Sequence, residues 1–229
     1  MTIAGLQKFS LIDYPGKTCA IIFTRGCNFR CKYCHNPELV IPQKYAKEIP
    51  IETIFNFLEQ RRNKLDAVCI TGGEPTVHAD LIGVIKKIKS IGFLIKLDSN
   101  GTRPDVLKKI IDQKLVNYIA MDVKAPLEKY PKITGCKISK NKIKQSIGLI
   151  INSGIDHEFR TTVVEPLTSE DDLKNIVQMI QGAQNYYLQK FVPTKTLDPD
   201  IINDKSLSDN ILNKLIKEFS TGVTNCQIR

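Results

Sequence analysis

Short strand-like runs alternate with helix-length segments along nearly the whole chain, and this alternation constrains the fold more than any other feature. Six runs, 19–24 (CAIIFT), 67–71 (AVCIT), 93–97 (FLIKL), 118–123 (YIAMDV), 158–164 (EFRTTVV) and 186–192 (YYLQKFV), are short, apolar and rich in β-branched or aromatic residues. Segments 51–62, 79–90, 104–113, 139–153 and 169–181 carry apolar residues at helical spacing, and a last helix is expected near 208–219. Ser139 and Ser169 stand where helix caps belong, and Pro104 suits a first helical turn. Val223, Cys226 and Ile228 suit an edge strand. The order predicts an α/β fold, a parallel sheet with helices outside, either doubly wound or part of a (β/α) barrel. In both, the ligand sits at the carboxyl ends of the strands.

The 229 residues are 42% hydrophobic, enough for one core, and 1–229 reads as a single domain without internal repeat, low-complexity segment or long linker. The segment 124–144, with Pro126, Pro131 and Gly135, reads as a long loop beside the site. No stretch approaches the roughly 18 consecutive apolar residues of a spanning helix. The first thirty residues carry Lys8, Asp13, Lys17 and Arg25 instead of an apolar signal core, so a cytoplasmic protein with no membrane partner is expected. The net charge of +9 raises nucleic acid as a partner, but the excess is mostly Lys spread along the chain, which solvated helix faces explain at least as well.

Seven cysteines, an odd number without an export signal, argue for metal or redox chemistry over a disulfide framework. Cys19, Cys69, Cys136 and Cys226 are scattered and read as buried core thiols. Cys27, Cys31 and Cys34 instead follow the first strand in the spacing C-x3-C-x2-C. Three soft thiolates on one loop suit an iron–sulfur cluster or zinc, and three around a cubane cluster leave one iron open to a ligand. On spacing alone, other readings stay open. They are zinc with His35 as fourth ligand, haem attachment through C-x-x-C-H, and a redox C-x-x-C pair.

The other strand ends carry chemistry too. Gly72 and Gly73 let backbone approach a ligand closely, and the Glu74 carboxylate can accept hydrogen bonds from an ammonium group. Asp98-Ser99-Asn100-Gly101 follows the third strand and Asp122-Val123-Lys124 the fourth, a pair of carboxylates and a lysine suited to ribose hydroxyls, a carboxylate and a small cation. Arg160, Thr162, Gln189 and Phe191 are candidates to line the same mouth.

The cysteine loop after the first strand and the Gly-Gly-Glu-Pro after the second resemble the radical S-adenosylmethionine superfamily, and the likeness spans essentially the whole chain. Within it, Phe9 to Gly16 (FSLIDYPG), Arg25-Gly26-Cys27-Asn28 and Cys34-His35-Asn36-Pro37-Glu38 resemble the activating enzymes of glycyl-radical proteins, above all those of anaerobic ribonucleoside-triphosphate reductase. The resemblance implies a partial (β/α)6 barrel and a [4Fe-4S] cluster on Cys27, Cys31 and Cys34, with S-adenosylmethionine on the open iron. It implies Tyr33 near the adenine and Gly72, Gly73 and Glu74 at the methionine amino group. Asp98, Asn100 and Asp122 would stand towards the ribose and methionyl end around a monovalent cation, with Lys124 at the carboxylate. The partner implied is a glycyl-radical enzyme, in first place anaerobic ribonucleotide reductase, with pyruvate formate-lyase as the alternative. Flavodoxin or ferredoxin would be the electron donor. An RNA or purine-like substrate is a further alternative. Residues 37–65 contain no cysteine, so no second cluster is expected there.

Overall fold

The computed structural model describes residues 1–229. Its strands are β1 (Ile3–Tyr14), β2 (Lys17–Thr24), β3 (Ala67–Gly72), β4 (Leu94–Ser99), β5 (Tyr118–Asp122), β6 (Asp156–Val163), β7 (Asn185–Lys190) and β8 (Asn225–Ile228). The helices are α1 (Pro37–Val40), α2 (Ile51–Arg61), α3 (Leu81–Ile91), α4 (Pro104–Asp112), α5 (Tyr130–Thr134), α6 (Lys140–Ile151), α7 (Glu170–Met179) and α8 (Asp209–Phe219). The strands lie in one sheet in the order β1 to β8. Only the β1–β2 hairpin pairs antiparallel among the registers β1–β2, β2–β3, β3–β4, β6–β7 and β7–β8. Sequential order without a reversal is the winding of the (β/α) barrel class and excludes the doubly wound alternative, whose order reverses at a switch point.

Two compact units make up the chain. The first comprises Met1–Asn28, Glu38–Ser99 and Asp105–Ile119; the second comprises Phe29–Pro37, Asn100–Pro104 and Ala120–Arg229. In the first, β2 pairs with β3 from Cys19↔Ala67 to Thr24↔Gly72, and β3 with β4 from Ala67↔Leu94 to Ile70↔Leu97. One face of these strands packs Tyr14, Cys19, Ile21, Ala67, Cys69 and Tyr118, flanked by Phe23 and Leu94. The intervening residues Ala20, Ile22, Val68, Ile70, Ile95 and Leu97 are buried as well. Burial on both faces is why β2 and β3 read as continuous apolar runs instead of alternating ones. Leu81, Val84, Ile85, Ile88 and Ile91 form the buried stripe of α3, each contributing roughly 1.5–3 kcal/mol of burial.

In the second unit β6, β7 and β8 pair in parallel, from Glu158↔Asn185 to Val163↔Lys190 and from Asn185↔Asn225 to Leu188↔Ile228. Phe159 and Tyr186 are fully buried, and the Tyr186 hydroxyl donates to Thr161 Oγ1 at 2.8 Å. Ser169 caps α7 in a full capping box with Asp172.

Several expectations need correction. The twelve-residue β1 has no counterpart among the six expected strands, because its burial does not alternate and Phe9, Leu11 and Ile12 are exposed. Strand β4 runs to Ser99, so Asp98 lies inside it, and β7 stops at Lys190, before Phe191. Ser139 occupies the N-cap position of α6 but makes no side-chain cap bond. The segment 124–144 is no continuous loop. It contains α5, with Pro131 in its first turn and Gly135 as its left-handed cap, and the start of α6. Cys19 and Cys69 are buried, while Cys136 and Cys226 are only half-buried. No helix is long and apolar enough to cross a membrane.

Candidate active site

In the first unit the end of β3 is laced by backbone bonds onto the residues that lead into Cys27. The Gly73 amide donates to the Thr24 carbonyl and the Glu74 amide to the Gly26 carbonyl, both at 2.8 Å. Gly72 has φ +116°, and a Cβ there would lie 2.3 Å from the Thr24 nitrogen; a Cβ at Gly73 would lie 2.0 Å from the Gly26 oxygen. Neither position admits a side chain. The two glycines are therefore required by the packing of β3 on the cysteine loop, a reason independent of ligand approach.

Glu74 is 1% exposed. Its Oε1 accepts from the Thr76 amide at 3.1 Å, from the Thr76 hydroxyl, and from the Ser99 hydroxyl at 2.9 Å, which caps the short turn Pro75–Val77 and joins it to β4. Asp98 accepts from Lys96 Nζ at 2.7 Å through Oδ1 and from the Thr71 hydroxyl at 3.2 Å through Oδ2.

In the second unit the loop carrying Cys31, Tyr33 and Cys34 is pinned by the Arg30 amide, which donates to Thr134 O at 2.7 Å, and by the Cys34 amide, which donates to Cys31 O at 3.0 Å. His35 is occupied elsewhere. Its Nε2 donates to Val192 O at 2.9 Å and its ring stacks on Phe191 at 5.5 Å between centroids, so both residues have structural work. Tyr33 is buried, and its hydroxyl has no hydrogen-bond partner in the chain. Lys124 Nζ stands 5.7 Å from the Tyr33 ring centroid and 2.9 Å from Asp122 Oδ2, while Arg160 Nε donates to Asp122 Oδ1 at 2.8 Å. Asn100 Oδ1 accepts from the Thr102 amide at 3.1 Å and hydroxyl at 2.7 Å, an Asx turn after β4. Thr162 and Gln189 are half-buried register partners on β6 and β7.

Charge organises this end. Burial alone would raise the Asp122 carboxyl, but Arg160 and Lys124 hold it well below the usual carboxylate range. Burial would lower Lys124, and Asp122 beside it keeps the ammonium well above its ordinary value. Burial pushes the Cys31 thiol up to about 11 against the opposing pull of Lys124, and pushes the Tyr33 phenol well above its usual value.

Sequence reasoning missed three charged residues. Lys96, 3% exposed, sits in the apolar run of β4. Glu158, 1% exposed, accepts from Arg229 Nη1 at 3.2 Å and Nη2 at 3.3 Å and lies 3.7 Å from Arg160 Nη1. Arg229 also stacks over the Tyr187 ring at 3.3 Å. The i, i+2 spacing of Lys96 and Asp98 was the one available signal, since it puts both on one face of a strand.

None of the seven cysteines is in a disulfide, and no three His, Cys, Asp or Glu side chains stand together as a site for a single metal ion. Each thiolate of a [4Fe-4S] cluster binds a different iron, so its ligands stand farther apart than those of one ion. Three thiols within eight residues, with the adjacent His35 imidazole bound to Val192 O, fit the donor set of such a cluster with one open iron. The orphaned Tyr33 hydroxyl fits a site that a ligand completes, because buried polar groups are otherwise paired. A single monovalent cation fits less well, since Asp98 and Asp122 each already face an ammonium group.

Residues 21–180 match the Radical SAM superfamily. A protein of Methanocaldococcus jannaschii assigned as a glycyl-radical enzyme activating enzyme is 34% identical over 232 aligned positions, covering 99% of this chain and 95% of that protein. The pyruvate formate-lyase-activating enzyme of Clostridium pasteurianum is 26% identical over 85% of this chain and 82% of its own length. The crystal structure of Streptococcus suis SuiB bound to S-adenosylmethionine superposes with a TM-score of 0.67 at 13% identity, covering 91% of this chain and 49% of that one. The order of the strands, the cysteine loop leaving the first of the parallel ones and a full-length relative agree: the chain belongs to the radical SAM superfamily and, within it, to the glycyl-radical enzyme activating enzymes.

Proposed function

We propose that this chain generates a glycyl radical on anaerobic ribonucleotide reductase. The observation that carries the activase reading is the lacing of Gly72-Gly73-Glu74 onto the strand end that leads into Cys27, which binds the two diagnostic motifs into one structural element. Membership of the superfamily implies a [4Fe-4S] cluster and S-adenosylmethionine as cofactors. When bound, they supply reductive cleavage of the sulfonium C–S bond, giving methionine and a 5′-deoxyadenosyl radical able to take a hydrogen from a glycine Cα.

In this reading Cys27, Cys31 and Cys34 hold the cluster, and Glu74, fixed by Thr76 and Ser99, orients the methionine ammonium group. Tyr33 packs towards the adenine and offers its hydroxyl as a donor. Asp98, Asn100 and Asp122 serve the ribose and methionyl end, and Lys124, kept charged by Asp122, faces the carboxylate. Burial of Cys31 and Tyr33 excludes water from the reacting end. The cytoplasm, where thiols stay reduced, suits seven cysteines without a disulfide. A flavodoxin or ferredoxin would deliver the electron.

A pyruvate formate-lyase-type partner is the second reading, favoured by the likeness to the Clostridium pasteurianum enzyme. Anaerobic reconstitution with iron and sulfide tests the assignment. Wild type should bind iron and sulfide and release 5′-deoxyadenosine on reduction, and Cys31→Ala should lose both. A Cys31→Ala protein that still cleaves S-adenosylmethionine would overturn it. Supplying each candidate partner in turn separates the two readings.

A further inference from the structure

Lys96 has no evident reason to be a lysine on folding grounds. It is 3% exposed in the middle of β4, where an apolar side chain would avoid the cost of burying a charge. Its ammonium is spent on one group. Nζ lies 2.7 Å from Asp98 Oδ1 and 5.9 Å from the Tyr118 ring centroid, while the Thr71 hydroxyl takes Asp98 Oδ2. Asp122 is balanced in the same way by Lys124 at 2.9 Å and Arg160 at 2.8 Å. A small monovalent ion needs oxygen ligands carrying uncompensated negative charge, and an ion seated against Asp98 would be repelled by an ammonium already on that carboxylate.

We propose that Lys96 is a resident cation that takes the place of a monovalent metal ion at Asp98, fixing the charge and orientation of that carboxylate for S-adenosylmethionine. The proposal rests on the reading of Asp98 as part of the S-adenosylmethionine site. Lys96 acts through Asp98, as a positioning residue. Its charge therefore has to be replaceable by a free ion once the side chain is removed.

The experiment is equilibrium binding of S-adenosylmethionine to the cluster-reconstituted, unreduced protein, so that no turnover occurs. Sodium, potassium and tetramethylammonium chlorides are compared at one ionic strength. Wild-type affinity should change by less than about twofold between salts, since the paired carboxylate needs no added ion. Lys96→Met should bind about tenfold more weakly in tetramethylammonium, because it removes the ammonium paired with Asp98, and sodium or potassium should restore most of the loss. Wild-type binding that requires sodium or potassium overturns the proposal and leaves the S-adenosylmethionine site standing. A folded Lys96→Met with unchanged affinity, or with a loss that neither ion repairs, also overturns it. Should Lys96→Met fail to fold, the wild-type salt comparison decides alone. Wild type that binds no S-adenosylmethionine in any salt removes the underlying reading, and this proposal with it.

Discussion

Two strand ends, one in each compact unit, are built by opposite means. At Gly72–Glu74 backbone does the holding: two amide-to-carbonyl bonds at 2.8 Å and two positions with no room for a Cβ. At Asp122 side chains hold one another, in a chain of charges that runs Lys124, Asp122, Arg160, Glu158, Arg229. The first arrangement is indifferent to charge and intolerant of any added atom. The second tolerates atoms and depends on charge. Under the proposed function, the rigid device would serve the cysteine loop and the electrostatic one the end assigned to the zwitterionic methionyl group.

Gly73→Ala should give the largest effect. The added Cβ meets backbone instead of a flexible side chain, so β3 must separate from Thr24–Gly26, at a cost of about 3 kcal/mol or more in denaturant unfolding together with loss of iron binding. A stable Gly73→Ala protein with a full cluster would break the comparison at its rigid end. Asp122→Asn comes next. It removes the carboxylate that Lys124 and Arg160 share, and about 2–4 kcal/mol of stability should be lost. The pH dependence has a definite sign. Because the folded carboxyl is held below its usual value, its contribution is complete above the ordinary pKa of about 3.9 and is lost as the pH falls below that point. Asp122→Asn should flatten that acid limb of the unfolding profile, and Gly73→Ala should lower the curve without changing its shape.

Glu158→Gln removes the carboxylate between two guanidinium groups and should cost about 1–3 kcal/mol, measured at low salt. Arg229→Ala, at a more exposed end of the same series, should cost about 1 kcal/mol or less, with the difference shrinking in high salt. An Arg229→Ala loss as large as that of Asp122→Asn would mean that the charges act as one unit and not as a graded series.

What was legible in the sequence follows from distance along the chain. Cys27, Cys31 and Cys34 are near neighbours, and Gly-Gly-Glu-Pro is contiguous, so their spacing is visible without a fold. The alternation of strands and helices was visible because both faces of β2 and β3 are buried and read as apolar runs. Strand β1 was hidden because its exposed Phe9, Leu11 and Ile12 break any period of two. Lys96 was hidden because a lysine reads as solvated unless its partner is known. The Glu158–Arg229 pair joins residues 71 positions apart on β6 and just beyond β8, and only the registers of three strands bring it together. Ser139 and Ser169 look alike in sequence, yet only Ser169 has an acidic residue three positions on to complete a box.

The central claim is that this chain places a radical on a glycine of a partner protein. Electron paramagnetic resonance tests it most directly, with the anaerobically reconstituted protein, a reductant, S-adenosylmethionine and an anaerobic ribonucleotide reductase or a pyruvate formate-lyase. A glycine-centred signal should appear with wild type and be absent with Cys31→Ala. Cluster-loaded wild type that consumes S-adenosylmethionine and leaves no glycine-centred signal on either partner would contradict the claim.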